Sequence, residues 1–196
     1  MHIVDYDVRY CRGSFTCLRT GACPIQDDFA DLLATLQAAD GIVAGSPVYE
    51  GYVTAQLKTL LDRITLLHLY TNRFDAQYTV GVATSGVAPT RGVAKELATF
   101  FGHRVGMIGA KTSTIAHGYQ PLADVHPDRL PQRAHRLGQR LVRRIQQPGV
   151  RIPSPQALWI KLLQRFVIRP LVLGNEDQFA GVIKIWREKG ILPARE

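Results

Sequence analysis

A short apolar segment followed by a loop of small residues most constrains how this chain folds. Residues 41–44 read Gly-Ile-Val-Ala and lead into the loop Gly45-Ser46-Pro47-Val48-Tyr49. Uniformly apolar strands are typical of parallel sheets that are covered on both faces. Open α/β sheets bind ligands beyond the carboxyl ends of such strands. Pro47 and Tyr49 offer a rigid edge and an aromatic face, so the block predicts a site for a planar cofactor.

Strand and helix patterns alternate along most of the chain. Strands are predicted at residues 2–8 and at about 41–45, 78–83 and 104–110, and helices at about 28–38, 54–64, 89–101 and 128–146. This alternation favours an α/β fold with a doubly wound parallel sheet. The stretch 147–155 is rich in proline and reads as a break in structure. We therefore predict a domain at 1–147 and a mostly helical C-terminal extension at 148–196.

The formal charge of +8 permits anionic partners. Much of the excess positive charge comes from arginines in the predicted helix at 128–146. Their spacing is typical of a solvated outer face, and a phosphate-binding face is the alternative. No motif that reads nucleic-acid bases is evident, so no nucleic-acid partner is predicted. No apolar run reaches the length of a membrane span, and the first residues do not resemble a signal peptide. We expect a cytoplasmic protein without stable membrane insertion.

Two further segments leave alternatives open. The chain has three cysteines, Cys11, Cys17 and Cys23. An odd number of cysteines in a chain without a signal peptide argues against a disulfide framework. Inert packing and redox chemistry are both compatible with them. The segment 156–168 is very apolar and contains Trp159 and Phe166. It packs within the chain, forms a homodimer interface, or lies on a membrane surface.

Several motifs together resemble one family. They are Cys11–Cys17, Gly21–Asp28, Ala39–Tyr49, Ala55–Lys58 and Asp62-Arg63. The series is similar to the NADPH-dependent FMN reductase family, within the flavodoxin-like fold, and especially to the branch that includes iron–sulfur flavoproteins. The resemblance covers about residues 2–112 and implies FMN at the carboxyl edge of the sheet. It places the ring against Ser46, Pro47, Val48 and Tyr49, and against a second small-residue turn, Thr84-Ser85-Gly86.

The resemblance also implies an activity. NAD(P)H would reduce bound FMN, and electrons would pass to a quinone, a flavin or another small acceptor. The cofactor carries the hydride chemistry, so no side chain is predicted to be catalytic. The cofactor often lies near a subunit boundary in such reductases, so a homo-oligomer is expected. The alternatives are a non-enzymatic flavodoxin-like interaction or regulatory protein that has lost FMN binding, and a flavin electron carrier.

This sequence departs from the family pattern at two places. The family's opening strand and phosphate-binding loop would precede residue 2, so we expect either a sequence that starts too late or a protein that has compensated for the loss. Ser14 stands at the likely second cysteine position of the iron–sulfur branch. Four thiolates normally hold a [4Fe–4S] cluster, and serine is a poor ligand for soft metals. No metal site is therefore predicted, and a cluster held by the three cysteines with one ligand from outside the chain is left as an alternative.

Overall fold

The computed structural model describes residues 1–71, 74, 77–111, 129–147, 159 and 162–193. The chain forms two compact units. A helical unit comprises Met1–Leu33, Thr59–Arg73 and Val150–Glu196, and a sheet unit comprises Ala34–Lys58 and Phe74–Gly149. The predicted domain boundary at 147/148 adjoins residues 148–158, which lie outside the described residues, so that boundary stays a prediction.

The described elements follow one another in this order: a 3-10 helix (Ile3–Asp5), α1 (Thr16–Thr20), α2 (Phe29–Ala38), β1 (Gly41–Pro47), α3 (Ala55–Thr71), β2 (Tyr78–Ser85), α4 (Arg91–Phe100), β3 (His103–Lys111), α5 (Arg129–Gln146), a π-helical segment (Gln164–Ile168), α6 (Arg169–Leu173) and α7 (Ala180–Glu188). The strands form a parallel sheet with the order β1-β2-β3. The parallel α/β sheet that the sequence predicts is therefore confirmed.

Helices lie on both faces of this sheet, where they pack against β2 and β3. A Cβ atom added at Gly81 of β2 would overlap the Ala94 carbonyl oxygen of α4, and one added at Gly106 of β3 would overlap the Leu137 side chain of α5. Gly106 pairs with Val80 and therefore shares its face of the sheet. Gly81 follows Val80 in β2 and belongs to the opposite face, because successive residues of a strand alternate between faces. The helices α4 and α5 therefore lie on opposite faces, which is the doubly wound arrangement.

The helical unit has its own apolar core, and the described residues of that core come from α1, α3 and the segments after residue 162. Its fully or largely buried members are Leu18, Leu67, Ile168, Val172, Phe179, Val182, Ile183 and Trp186. The Trp186 indole donates to the Tyr70 carbonyl oxygen at 2.9 Å. The Lys189 ammonium donates to the Thr71 carbonyl oxygen at 3.0 Å, so a cation stabilises the C-terminal end of α3.

The predicted strand at residues 2–8 is wrong. Ile3–Asp5 form a 3-10 helix, and no residue from 1 to 10 is in a strand. The backbone N–H groups of Asp7 and Arg9 donate to carboxylates at the start of α2, to Asp28 at 2.8 Å and to Asp27 at 2.9 Å. Side chains therefore accept the hydrogen bonds of these two amides, which in a strand would be donated to the backbone of a neighbouring strand.

Two other expectations need correction. The strand β1 is buried on one face only, and Val43 on the other face is 62% exposed. The helix α3 extends beyond its predicted end at residue 64, because its buried stripe continues through Leu67 to Thr71. The arginines of α5 are exposed, as predicted. None of the helices in the described part of the chain has the length and apolar character needed to cross a membrane.

Candidate functional site

The two predicted loops meet at the carboxyl edge of the sheet. Pro47 at the end of β1 is in register with Thr84 near the end of β2. The Val48 N–H group continues the ladder by donating to the Thr84 carbonyl oxygen at 2.7 Å, and the Val48 side chain is buried. The structure therefore brings together all seven residues that the sequence predicts for the cofactor, which are Ser46, Pro47, Val48, Tyr49, Thr84, Ser85 and Gly86.

A tight hairpin fixes the position of Tyr49. Tyr49 and Tyr52 exchange two backbone hydrogen bonds of 3.0 Å, and the residues between them, Glu50 and Gly51, have φ angles of 48° and 78°. Positive φ at both central residues is the signature of a type I′ turn, which suits glycine but strains glutamate. The Tyr52 hydroxyl donates to the Glu96 carboxylate of α4. The Tyr49 side chain, 66% exposed, is thus held at the sheet edge by a braced turn.

The two buried serines shape the loops. The Ser46 hydroxyl donates to the Pro47 carbonyl oxygen at 2.7 Å and accepts from the Thr54 N–H group at 3.1 Å. The Ser85 hydroxyl accepts from the Val87 N–H group at 3.1 Å. These hydroxyls are occupied within the loops, so their side chains serve to hold the loops in shape. The surface offered to solvent comes from Pro47 and Tyr49, with Thr84 and Gly86 partly exposed.

A cationic residue at the same edge of the sheet, Lys111, was not predicted from the sequence. Lys111 ends β3, is in register with Ser85 and is exposed. The signal was present, because Lys111 directly follows the strand predicted at 104–110. A lysine here supplies positive charge beside the Thr84-Ser85-Gly86 turn, which suits an anionic group of a ligand.

The helical unit contains a polar cluster that is centred on a buried ion pair between Arg63 and Asp27. Arg63 of α3 donates to both carboxylate oxygens of Asp27, at 2.7 and 3.0 Å, and both side chains are fully buried. Arg63 also donates to the Arg9 carbonyl oxygen at 2.7 Å, and its guanidinium lies 4.2 Å from the centroid of the Phe29 ring. Burial alone would raise the pKa of Asp27, but hydrogen bonds from Arg63 and from the backbone outweigh it and lower that pKa.

The same arginine lines a small cavity together with the three cysteines. Cys11, Cys17 and Cys23 all contribute to its wall, as do Ser14 and Arg63. Cys11 is exposed, whereas Cys17 and Cys23 are partly buried. Burial raises the pKa of the Cys17 thiol, and the neighbouring charges of Cys23 and Cys11 raise it further. The thiols therefore surround one cavity.

The role of Arg63 was missed at the sequence level. The available signal was a charged residue within the apolar stripe of α3, where Leu60, Ile64 and Leu67 are buried. A charge at such a position is seldom buried without a partner. The pattern does not identify Asp27 as that partner, because the two residues are separated by 36 positions.

Comparisons with known proteins agree with this picture. The family model described as NADPH-dependent FMN reductase matches residues 1–120, more than half of the chain. An iron–sulfur flavoprotein of Methanocaldococcus jannaschii is 34% identical over 120 residues, which cover 59% of this chain and 61% of the relative. An iron–sulfur flavoprotein of Archaeoglobus fulgidus is 37% identical over 87 residues, which cover 44% of this chain and 43% of the relative. The chain thus spans less than two thirds of either curated relative.

A solved structure described as a flavone reductase is similar to 76% of this chain and to 52% of its own, with a TM-score of 0.50 and 18% sequence identity. At that identity the likeness concerns the fold. It agrees with the flavodoxin-like arrangement of a parallel sheet between helices.

Proposed function

Because this chain belongs to the NADPH-dependent FMN reductase family, we propose that it binds FMN at the edge formed by Ser46–Tyr49 and Thr84–Gly86. In this proposal the chain is an oxidoreductase that takes electrons from NAD(P)H and passes them to a small acceptor. Bound FMN supplies the hydride chemistry, as flavin cofactors do in general. The observation that carries the proposal is the meeting of the two loops, fixed by the register of Pro47 with Thr84.

The residues at this edge suit a flat ring. Pro47 has no backbone N–H group and a fixed φ, so it presents a rigid surface. Tyr49 adds an exposed aromatic face on a braced turn, and aromatic faces stack on planar rings. Gly86 has no side chain and allows close approach of a ligand to the backbone. In the proposed site, Pro47 and Tyr49 orient the ring and Thr84-Ser85-Gly86 bounds its other side.

The acceptor is proposed as a quinone, a flavin or another small molecule. Lys111 offers a cation for an anionic group of FMN or of the pyridine nucleotide. An electron carrier would share the flavin and would not oxidise NAD(P)H, so a turnover assay separates the two candidates.

A non-enzymatic interaction protein is the second candidate. The exposed apolar side chains of Leu162, Phe166 and Val167 favour it, because neighbouring exposed apolar residues mark interaction surfaces. A folded chain that never retains flavin would support this candidate.

We also propose a homodimer through the apolar C-terminal segment. Most of residues 156–161 lie outside the described residues, but Leu162, Phe166 and Val167 are described and are exposed, Phe166 to 68%. Aromatic side chains concentrate in the cores of interfaces. Burial of Phe166 between two copies of the chain would remove this apolar surface from water.

The curated relatives are named iron–sulfur flavoproteins, so an iron–sulfur cluster has to be considered. The cysteine loop of this chain does not fit a cluster that is held by four thiolates. The loop offers three thiols, and the position that would complete a compact set is Ser14. Within the described ranges, no group of three or more His, Cys, Asp or Glu side chains is arranged to hold a metal ion. Because of this donor set, we assign no cluster of the four-thiolate type to this chain.

A pair of variants tests the flavin site. Pro47→Arg places a long cationic side chain where the ring would lie, and we expect it to abolish retention of FMN after desalting. The control, Gly138→Arg, adds the same side chain to α5, where a Cβ atom meets nothing within 4 Å. We expect the control to retain flavin at the wild-type level. Full flavin retention by Pro47→Arg would overturn the assignment of the site.

A further inference from the structure

Six exposed arginines form one continuous stripe along α5. Given the period of an α-helix, they fall within an arc of about 100° around its axis. Given the helical rise per residue, the stripe is about 22 Å long. The members of this arginine stripe are Arg129, Arg133, Arg136, Arg140, Arg143 and Arg144. The helix α5 therefore presents a narrow, linear and purely cationic surface.

Nothing within α5 neutralises this charge. The helix contains no acidic residue, and in the described part of the chain no ion pair joins one of the six arginines to a carboxylate. Like charges three or four positions apart on a helix repel one another. Arg129 also begins the helix, where the helix dipole disfavours a cation. The arginine stripe therefore costs α5 stability, and an anionic partner along its length would relieve the repulsion.

The other sides of α5 argue against two kinds of anionic partner. Leu137 and Ile145 pack against the sheet at Gly106 and Gly41, so the apolar side of α5 does not face a lipid surface. The arc of the stripe holds no apolar or aromatic side chain, whereas protein partners use such residues at the cores of their interfaces. A surface of charges alone suits a partner whose backbone carries the anionic groups.

A shallow groove lies beside the arginine stripe on the same helix. Arg143 belongs to both, and the polar walls of the groove include His135, Gln139 and Gln146. A Cβ atom added at Gly138, also in the groove, would meet nothing within 4 Å, so the groove is open at this point. Ring and amide groups hydrogen-bond to phosphates and sugars. The backbone of a nucleic acid can enter such a groove, whereas the flat surface of a bilayer cannot.

We propose that the arginine stripe binds the phosphate backbone of double-stranded nucleic acid without reading its sequence. Arginine pairs with phosphate through two parallel hydrogen bonds. Duplex DNA carries about one negative charge per 1.7 Å of its axis, so its phosphates are dense enough to serve every arginine of the stripe. Single strands are held by aromatic side chains on which their bases stack, and α5 has none. Motifs that read bases, which the sequence lacks, are not needed for phosphate contacts.

Binding of a fluorescein-labelled DNA duplex to the full chain, measured by fluorescence anisotropy, tests this proposal. We expect similar affinities at low salt for two duplexes of unrelated sequence. The logarithm of the association constant should fall against the logarithm of the salt concentration with a slope of about −5, because each neutralised phosphate contributes about −0.9. The result does not depend on the proposed flavin function, because the assay detects bound DNA and not flavin.

A matched pair of double variants localises the binding. Arg136→Gln combined with Arg140→Gln removes two charges from the middle of the stripe. It should reduce the magnitude of the salt slope by about 2 and weaken binding at low salt by about tenfold or more. The control, Arg91→Gln combined with Lys95→Gln, removes two exposed cations from α4, on the opposite face of the sheet, and should bind like the wild type. Circular dichroism checks that both variants fold.

Four outcomes would overturn the proposal. The first is that neither duplex binds at low salt, and the second is that the two double variants lose binding equally. The third is that phosphatidylserine vesicles bind through Arg136 and Arg140 while the duplex does not bind. The fourth is that a single strand of the same sequence binds more tightly than the duplex.

Discussion

Replacement of Asp27 by Asn isolates the energetic role of the buried ion pair. The substitution keeps the shape of the side chain but removes its charge, and it leaves the Arg63 guanidinium fully buried. Removal of one partner from a buried pair typically destabilises a protein by about 3–5 kcal/mol. The Arg9 carbonyl oxygen and the Phe29 ring still contact the guanidinium, so we expect a loss near the lower end, about 3 kcal/mol. This loss is a large fraction of the roughly 5–15 kcal/mol that stabilises a typical domain.

Urea denaturation followed by tryptophan fluorescence measures this change. Both tryptophans of the chain, Trp159 and Trp186, belong to the helical unit, and Trp186 is buried in its core, so the signal reports on that unit. The matched control is Asp7→Asn, which removes an exposed pair with Arg9 at 3.4 Å. Such a pair contributes about 0–1 kcal/mol. Equal denaturation midpoints for the two variants would refute the reasoning that the buried pair stabilises this unit.

The sign of the pH dependence follows from the lowered pKa of Asp27. A carboxyl whose pKa is lower in the folded state contributes stability above its unfolded pKa and loses it as the pH falls through the folded pKa. The free energy of unfolding of the wild type should therefore fall in acid more steeply than that of Asp27→Asn. The difference between the two proteins should shrink as the pH decreases. A difference that stays constant down to strongly acidic pH would contradict this account.

Two further predictions concern packing and assembly. Gly81→Ala should destabilise the sheet unit by about 1–3 kcal/mol, because the new Cβ atom overlaps the backbone of α4. The control, Gly92→Ala, places its Cβ atom in open space and should be neutral or stabilising. Thermal unfolding followed by circular dichroism compares the two variants, and equal stabilities would contradict the close packing of β2 against α4. Phe166→Asp should convert the proposed homodimer to monomers in sedimentation velocity, and an unchanged sedimentation coefficient would count against that interface.

Local patterns were sufficient to place β1, β2 and the two loops that follow them in the sequence. Uniform apolarity identified β1, and the small residues that follow β1 and β2 identified the two loops, because the residues of each loop are adjacent in the sequence. The register that places Pro47 opposite Thr84 depends on contacts across the sheet. The exposure of Val43 depends on which helices cover β1, and neither property is encoded in a window of a few residues.

Long-range contacts account for what the sequence did not reveal. The strand predicted at 2–8 does not form, and the Asp7 amide within it and the Arg9 amide just after it bind Asp28 and Asp27, which are near in space but distant along the chain. The same distance hides the pairing of Asp27 with Arg63. Cys11, Cys17 and Cys23 were visible as a cluster in sequence, whereas the buried cation beside them required the structure.

Retention of FMN by the purified chain is the most direct test of the proposed flavin site. The chain is incubated with FMN, desalted, and examined for the visible absorption that the flavin brings with it. We predict stoichiometric flavin that is bleached by NADH or NADPH without oxygen and that is lost in Pro47→Arg. A folded, colourless chain, with the same result for wild type and variant, would contradict a flavin site at the edge of β1 and β2.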